Sequence, residues 1–228
     1  MLFDLRGRGR RRTVQVIYLS LALLMGGGLV LFGIGSNTGE GGILDAVVGE
    51  GGSGESATET IDKRIKAALA KTQTTPSEPA NWAELARLRY QRAGIDGLGP
   101  DDVTYTEKGK ERLTLATTAW ERYLSLDPKN PDPAVARLMV QAYSATGINQ
   151  PAKAVSAMQV VTAAEKPPSS NLFAQLAQLA YIARDDRTGD LASDRAVELA
   201  EDDQKKTLRT QLEQIKTQSA QQPTTTTG

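Results

Sequence analysis

The sequence predicts an all-α protein, and three observations carry that prediction. From Thr58 to about Ser219 apolar residues recur at three- and four-residue spacing, the signature of amphipathic helices. Turn-forming Gly, Pro, Asn and Asp separate these periodic blocks, and no block shows the sustained apolar–polar alternation of a strand. Ahead of them, Val14 to Ile34 is an apolar stretch broken only by Gln15 and Ser20, enough for a helix of roughly 32 Å at about 1.5 Å per residue. The predicted order is one N-terminal transmembrane helix, a Gly/Ser-rich tether and a domain of stacked helices.

Residues 1–12 form a basic tail, in which Arg6, Arg8, Arg10, Arg11 and Arg12 stand against Asp4. Behind them the chain is uncharged from Thr13 to Gly39, and residues 13–35 are predicted to cross a hydrocarbon core of about 30 Å. Arginines before the span and Glu40, Asp45 and Glu50 after it place the N-terminus in the cytoplasm and the rest of the chain outside. A cleavable signal peptide is the competing reading, but its apolar region is usually only about 7–15 residues. The absence of cysteine excludes a lipoprotein anchor. With no aromatic stacking partners beside them, these arginines read as topology determinants rather than as a nucleic-acid-binding arm.

Residues 36–57, with the sequence SNTGEGGILDAVVGEGGSGESA, hold too little apolar surface to offset chain entropy and are predicted to be a flexible tether. The helical domain then spans 58–219. Its first helix, around Glu59 to Thr72, aligns Ile61, Ile65, Ala68 and Leu69, with Ser56 and Glu59 in capping-box spacing. The second, near Pro79 to Arg92, carries Trp82, Leu85 and Ala86; the third, Thr106 to Leu126, aligns Leu113, Ala116, Trp120 and Tyr123. The fourth uses Val135, Leu138, Met139 and Ala142, and the fifth Ala152, Val155, Met158 and Thr162. The sixth uses Phe173, Leu176, Ala177 and Ala180, the seventh Ala192, Ala196 and Leu199, and the eighth Leu208, Leu212 and Ile215. Each has one apolar stripe and must bury it against a neighbour. Residues 220–228 read as a disordered tail.

Composition excludes most chemistry. The chain has 27 basic and 27 acidic side chains, and setting aside the arginine-rich tail leaves the remainder mildly acidic, unsuited to nucleic acid. There is no Cys and no His, which removes thiolate catalysis, the commonest general base and the commonest metal ligands together. The segment GIDGLGPDD lacks the third glycine of a dinucleotide-binding turn. DDRTGD, from Asp185 to Asp190, fails as a calcium loop because, counting from Asp186, Leu191 and Val197 occupy the sixth and twelfth positions, and it reads as a turn between paired helices. No cofactor or metal is expected, and an enzyme is the least favoured class. Trp82 and Trp120 read as hairpin core.

The sequence WERYLSLDPKNPDP, Trp120 to Pro133, resembles the end of one tetratricopeptide repeat and the start of the next. WAELARLRYQRAG (Trp82 to Gly94) and FAQLAQLAYIARD (Phe173 to Asp185) resemble the first helix of such a repeat, and Met139, Tyr143 and Gly147 stand at comparable places between them. The resemblance implies a right-handed solenoid of about three degenerate helix hairpins, with the first and eighth helices capping the ends. Small residues such as Ala86 and Ala177 would let neighbouring helices approach. The segment Ile95 to Gly109 is longer than a turn within such a repeat. A generic helical bundle would show the same stripes.

An anchor, a tether and repeats of this kind resemble the membrane-anchored bacterial proteins that attend the secretion translocon and its periplasmic chaperones. That resemblance implies a non-enzymatic adaptor or chaperone-like subunit on the outer face of the cytoplasmic membrane, with other proteins as partners. A scaffold of cell-wall or division assemblies is the alternative. Tetratricopeptide repeats hold protein segments in a groove lined by the first helix of each pair. Here those positions are Arg87, Tyr90 and Gln91, then Arg137, Gln141 and Ser144, then Gln178 and Tyr181. The Lys and Asn set that clamps chaperone C-terminal carboxylates in some family members is absent, which disfavours a cytosolic cochaperone role.

Overall fold

The computed structural model describes residues Ala57–Gln221, which form eight α-helices. These are α1 (Ala57–Thr74), α2 (Pro79–Asp96), α3 (Glu107–Ser125) and α4 (Pro133–Ala142), followed by α5 (Pro151–Ala164), α6 (Ser170–Ile182), α7 (Asp186–Leu199) and α8 (Asp202–Gln221). Among the described residues there is no strand, only an isolated bridge between Leu98 and Tyr105. The all-α prediction is met. The basic tail with Arg6 to Arg12, the predicted span 13–35, all of the tether but Ala57, Ser56 of the expected capping box, and residues 222–228 lie outside the described residues. No helix among the described residues is long and apolar enough to cross a membrane.

Local chemistry sets where the helices start. Pro79, Pro133 and Pro151 each open a helix, where the missing N–H and fixed φ cost nothing. Asp132 caps α4 through its carboxylate, which accepts the Ala134 and Val135 amides at 2.8 and 3.2 Å. Thr106 caps α3 by accepting the Gly109 amide at 3.1 Å, and Asp185 caps α7 by accepting the Thr188 amide at 3.0 Å. DDRTGD is therefore mostly the cap and first turn of α7 rather than a loop. At the other end, α8 continues through Ala220 and Gln221, two residues assigned to the tail by sequence. Ala and Gln favour helix, and the first residue incompatible with one is Pro223.

Packing follows chain order. Helices α2 and α3 form one hairpin, α4 and α5 a second, and α6 and α7 a third. Helix α4 also touches α2 and α3, and α5 touches α6, while α1 lies on α2 and α8 lies on α6 and α7. The main core draws on every helix, with Leu85, Trp120, Met139, Met158, Leu176 and Leu212 among its large side chains. Ala86, Ala116, Ala136, Ala157, Ala177 and Ala196 are all fully buried, so helices meet through small residues and approach closely. The predicted stripes supply most of this core, but Ala152 is exposed and Trp82 is only half-buried. Trp82 sits at the rim, its indole N–H donating to the Pro76 carbonyl at 2.9 Å and its ring 5.9 Å beneath the Arg122 guanidinium.

The long α2–α3 connection folds as a small hairpin. The Gly99 amide donates to the Thr104 carbonyl at 2.7 Å, and the Thr106 amide to the Gly97 carbonyl at 2.8 Å. At its tip the Asp101 carboxylate accepts the Val103 and Thr104 amides and the Thr104 hydroxyl. Those donors favour the ionised form and hold its pKa down at about 2, the hydroxyl contributing most.

Candidate functional site

Among the residues expected to line a groove, Arg87 and Tyr90 of α2 meet α4 at two points. The Tyr90 hydroxyl donates to Gln141 Oε1 at 2.6 Å, tying the middle of α2 to the end of α4. Arg87, one turn earlier on α2, lies 3.7 Å from Asp132, the residue that caps the start of α4. The order of contacts along α2 is the order along α4, so the two helices run in the same sense. Asp132 thus splits its carboxylate, one oxygen on the α4 amides and the other facing Arg87.

The two arginines are loosely held. The Arg87 side chain keeps 46% of its surface and Arg137 keeps 34%, and Arg137 reaches Glu165 at 3.3 Å. Ion pairs this exposed contribute about 0–1 kcal/mol, because water screens them and two long side chains must be ordered.

The remaining expected residues divide. Gln91 is half-buried and its Oε1 has no hydrogen-bond partner, while Ser144 exchanges a hydrogen bond with Thr146 at 3.0 Å. Gln178 is half-buried on α6. Tyr181 is 3% exposed, and its hydroxyl donates to Asp190 of α7 at 2.9 Å. A β-carbon on Gly189 would strike the Tyr181 ring, and the Lys216 ammonium of α8 lies 5.7 Å from its centre. Tyr181 is therefore enclosed by α7 and α8 and offers no accessible surface beside Arg87 and Tyr90.

A second feature had only a faint sequence signal. Gln159 of α5, Phe173 and Leu176 of α6, and Thr188, Leu191 and Ala192 of α7 line a shallow, open hollow of about 210 Å³. Leu191 is 65% exposed there, an apolar side chain one position off the α7 stripe of Ala192, Ala196 and Leu199. That displacement was legible in the sequence. The hollow carries no ionisable side chain and so offers shape rather than chemistry.

Among the described residues, no group of three or more His, Cys, Asp or Glu side chains is placed to hold a metal ion. The strongest charge cluster is structural: Asp96 accepts Arg92 at 2.6 Å, pairs with Arg112 and faces Lys108 at 3.6 Å, while Arg92 also binds Asp62 at 2.6 Å. It joins α1, α2 and α3. Compared with protein-family models, curated proteins and solved structures, the chain matches none.

Proposed function

We propose that this chain is a protein-binding adaptor or chaperone-like subunit, held at the outer face of the bacterial cytoplasmic membrane by residues 13–35 and attending protein secretion. In this reading residues 57–221 are a short right-handed stack of three tetratricopeptide-like hairpins, with α1 and α8 as caps. The observation that carries it is the α2–α4 seam. Two first helices of successive hairpins run in the same sense, with Arg87 exposed and Arg137 half-buried, each on a weak ion pair. The terminal helices support the same reading, since α1 lies on α2 and α8 on the last hairpin, as covers for otherwise open ends. A groove of this composition suits an extended segment bearing acidic and apolar side chains.

The test is photocrosslinking in native membranes from positions 87 and 137, with the captured proteins identified. Translocon or periplasmic chaperone components captured from both positions are the expected result. Capture of wall-synthesis components would replace the secretion role with the scaffold role. Crosslinks from a probe at Leu191 with none from 87 or 137 would overturn the groove itself.

A further inference from the structure

The long α2–α3 connection reaches across the seam between the first two hairpins. The amide of Tyr105 donates to the carbonyl of Thr146, in the α4–α5 turn, at 3.2 Å. The Tyr105 ring packs against a small apolar cluster of Ala93, Leu113 and Ala142, which Tyr90 and Ile148 join to the edge of the main core. This cluster draws on α2, α3, α4 and the α4–α5 turn, so it exists only while both hairpins are in register. The hydroxyl of Tyr90, beside the Tyr105 ring in the cluster, donates to Gln141. Backbone hydrogen bonds from Gly99 to Thr104 and from Thr106 to Gly97 hold the connection in the shape that presents Tyr105.

We propose that residues 97–106 are a clasp that locks the α2–α3 hairpin onto the α4–α5 hairpin and controls access to the α2–α4 surface. Seated, the clasp keeps Tyr90 and Gln141 bonded to each other. Released, it frees that hydroxyl and that amide for the backbone of a bound segment, a consequence that rests on the groove reading above. The lock itself does not rest on that reading. A satellite cluster under a loop opens at lower cost than the main core, so clasp release leaves α6, α7 and α8 in place.

Hydrogen–deuterium exchange on the full-length chain tests the lock without any partner. Tyr105→Ala is expected to raise exchange at least about tenfold both in 97–106 and in the α4–α5 turn at 142–150, while 176–199 stays unchanged, as local opening predicts. Tyr105→Phe keeps the ring and the amide and is expected to retain most of the protection in both segments. Faster exchange in 97–106 with none in 142–150 would overturn the clasp, as would an equal increase through all helices. Crosslinking from positions 87 and 137, run on the same variants, separates the two ideas. Unchanged capture with faster exchange would remove the control over access and leave the lock standing.

Discussion

Gly97 and Gly109 meet backbone to backbone where α2 ends and α3 begins: a β-carbon on Gly97 would lie 2.6 Å from the Cα of Gly109, and one on Gly109 would run into the Gly97 carbonyl oxygen. Neither glycine is required by a left-handed φ, since Gly97 has φ −108°. Close approach alone requires them. Gly109→Ala is expected to destabilise the domain by about 1–3 kcal/mol, the usual cost of forcing a methyl group into a packed site with backbone on the far side. Urea unfolding measures it, and an unchanged midpoint would show that the α2–α3 junction opens freely.

Asp96 answers to three cations while Asp62 answers to one, and Arg92 between them is 8% exposed. Removing Asp96 leaves the buried Arg92 guanidinium with half its partners and Arg112 with only the charge of Asp62. Asp96→Ala is therefore expected to cost about 2 kcal/mol, below the figure for a fully buried pair because Asp96 is itself partly solvated. Asp62→Ala should cost less. Equal denaturation midpoints for the two variants would contradict the assignment of Asp96 as the hub of the cluster.

The eight helices were legible because each buries one stripe, and stripe spacing survives whatever the helix packs against. Ala152 was misplaced in the core because Pro151 starts α5 there, and an alanine in a first turn has too little apolar surface to fix which way it faces. The clasp was legible only as excess length between Ile95 and Gly109. Its single bridge pairs Leu98 with Tyr105, too short for any alternation to register. Tyr181 follows Ala177 by four residues and so falls on the buried stripe of α6, yet the repeat resemblance assigned it to the groove. The deciding signal was Gly189 on the following helix, where the missing side chain makes room for a ring. The Tyr90–Gln141 bond joins residues 51 apart and has no local signature.

The tyrosines of the domain give a prediction for alkaline solution. Burial pushes Tyr90, Tyr105, Tyr123 and Tyr143 above the ordinary phenol range, and burial with the Asp190 hydrogen bond takes Tyr181 to about 12. An unfolded chain ionises these groups near 10, so between there and the folded values it loses protons that the folded chain keeps. Stability is thus fully present below about pH 10 and falls as pH rises toward the folded pKa values. Tyrosinate absorbance should lag in the folded domain and then rise together with loss of helicity. Full ionisation of these tyrosines near pH 10 with helicity intact would refute their burial.

The same two readouts, stability and capture, decide what Tyr181 and the arginines do. Arg87 is exposed, Arg137 is half-buried and both are weakly paired, so replacing both by Ala should lower stability by only about 1 kcal/mol. Capture in native membranes should nonetheless fall by about tenfold or more, because truncating an arginine contact at an interface commonly costs over about 1 kcal/mol. Tyr181→Ala is expected to do the reverse. It opens a cavity between α6, α7 and α8 and removes the ring beneath Lys216, at about 3–5 kcal/mol, while Asp190 keeps its ion pair with Lys216. Tyr181→Phe keeps the ring against Gly189 and loses only the hydrogen bond, so it should cost about 1 kcal/mol and leave capture at the parent level. Reduced capture by Tyr181→Phe at unchanged stability would bring this residue back to the partner surface, and undiminished capture by the double arginine variant would take Arg87 and Arg137 off it.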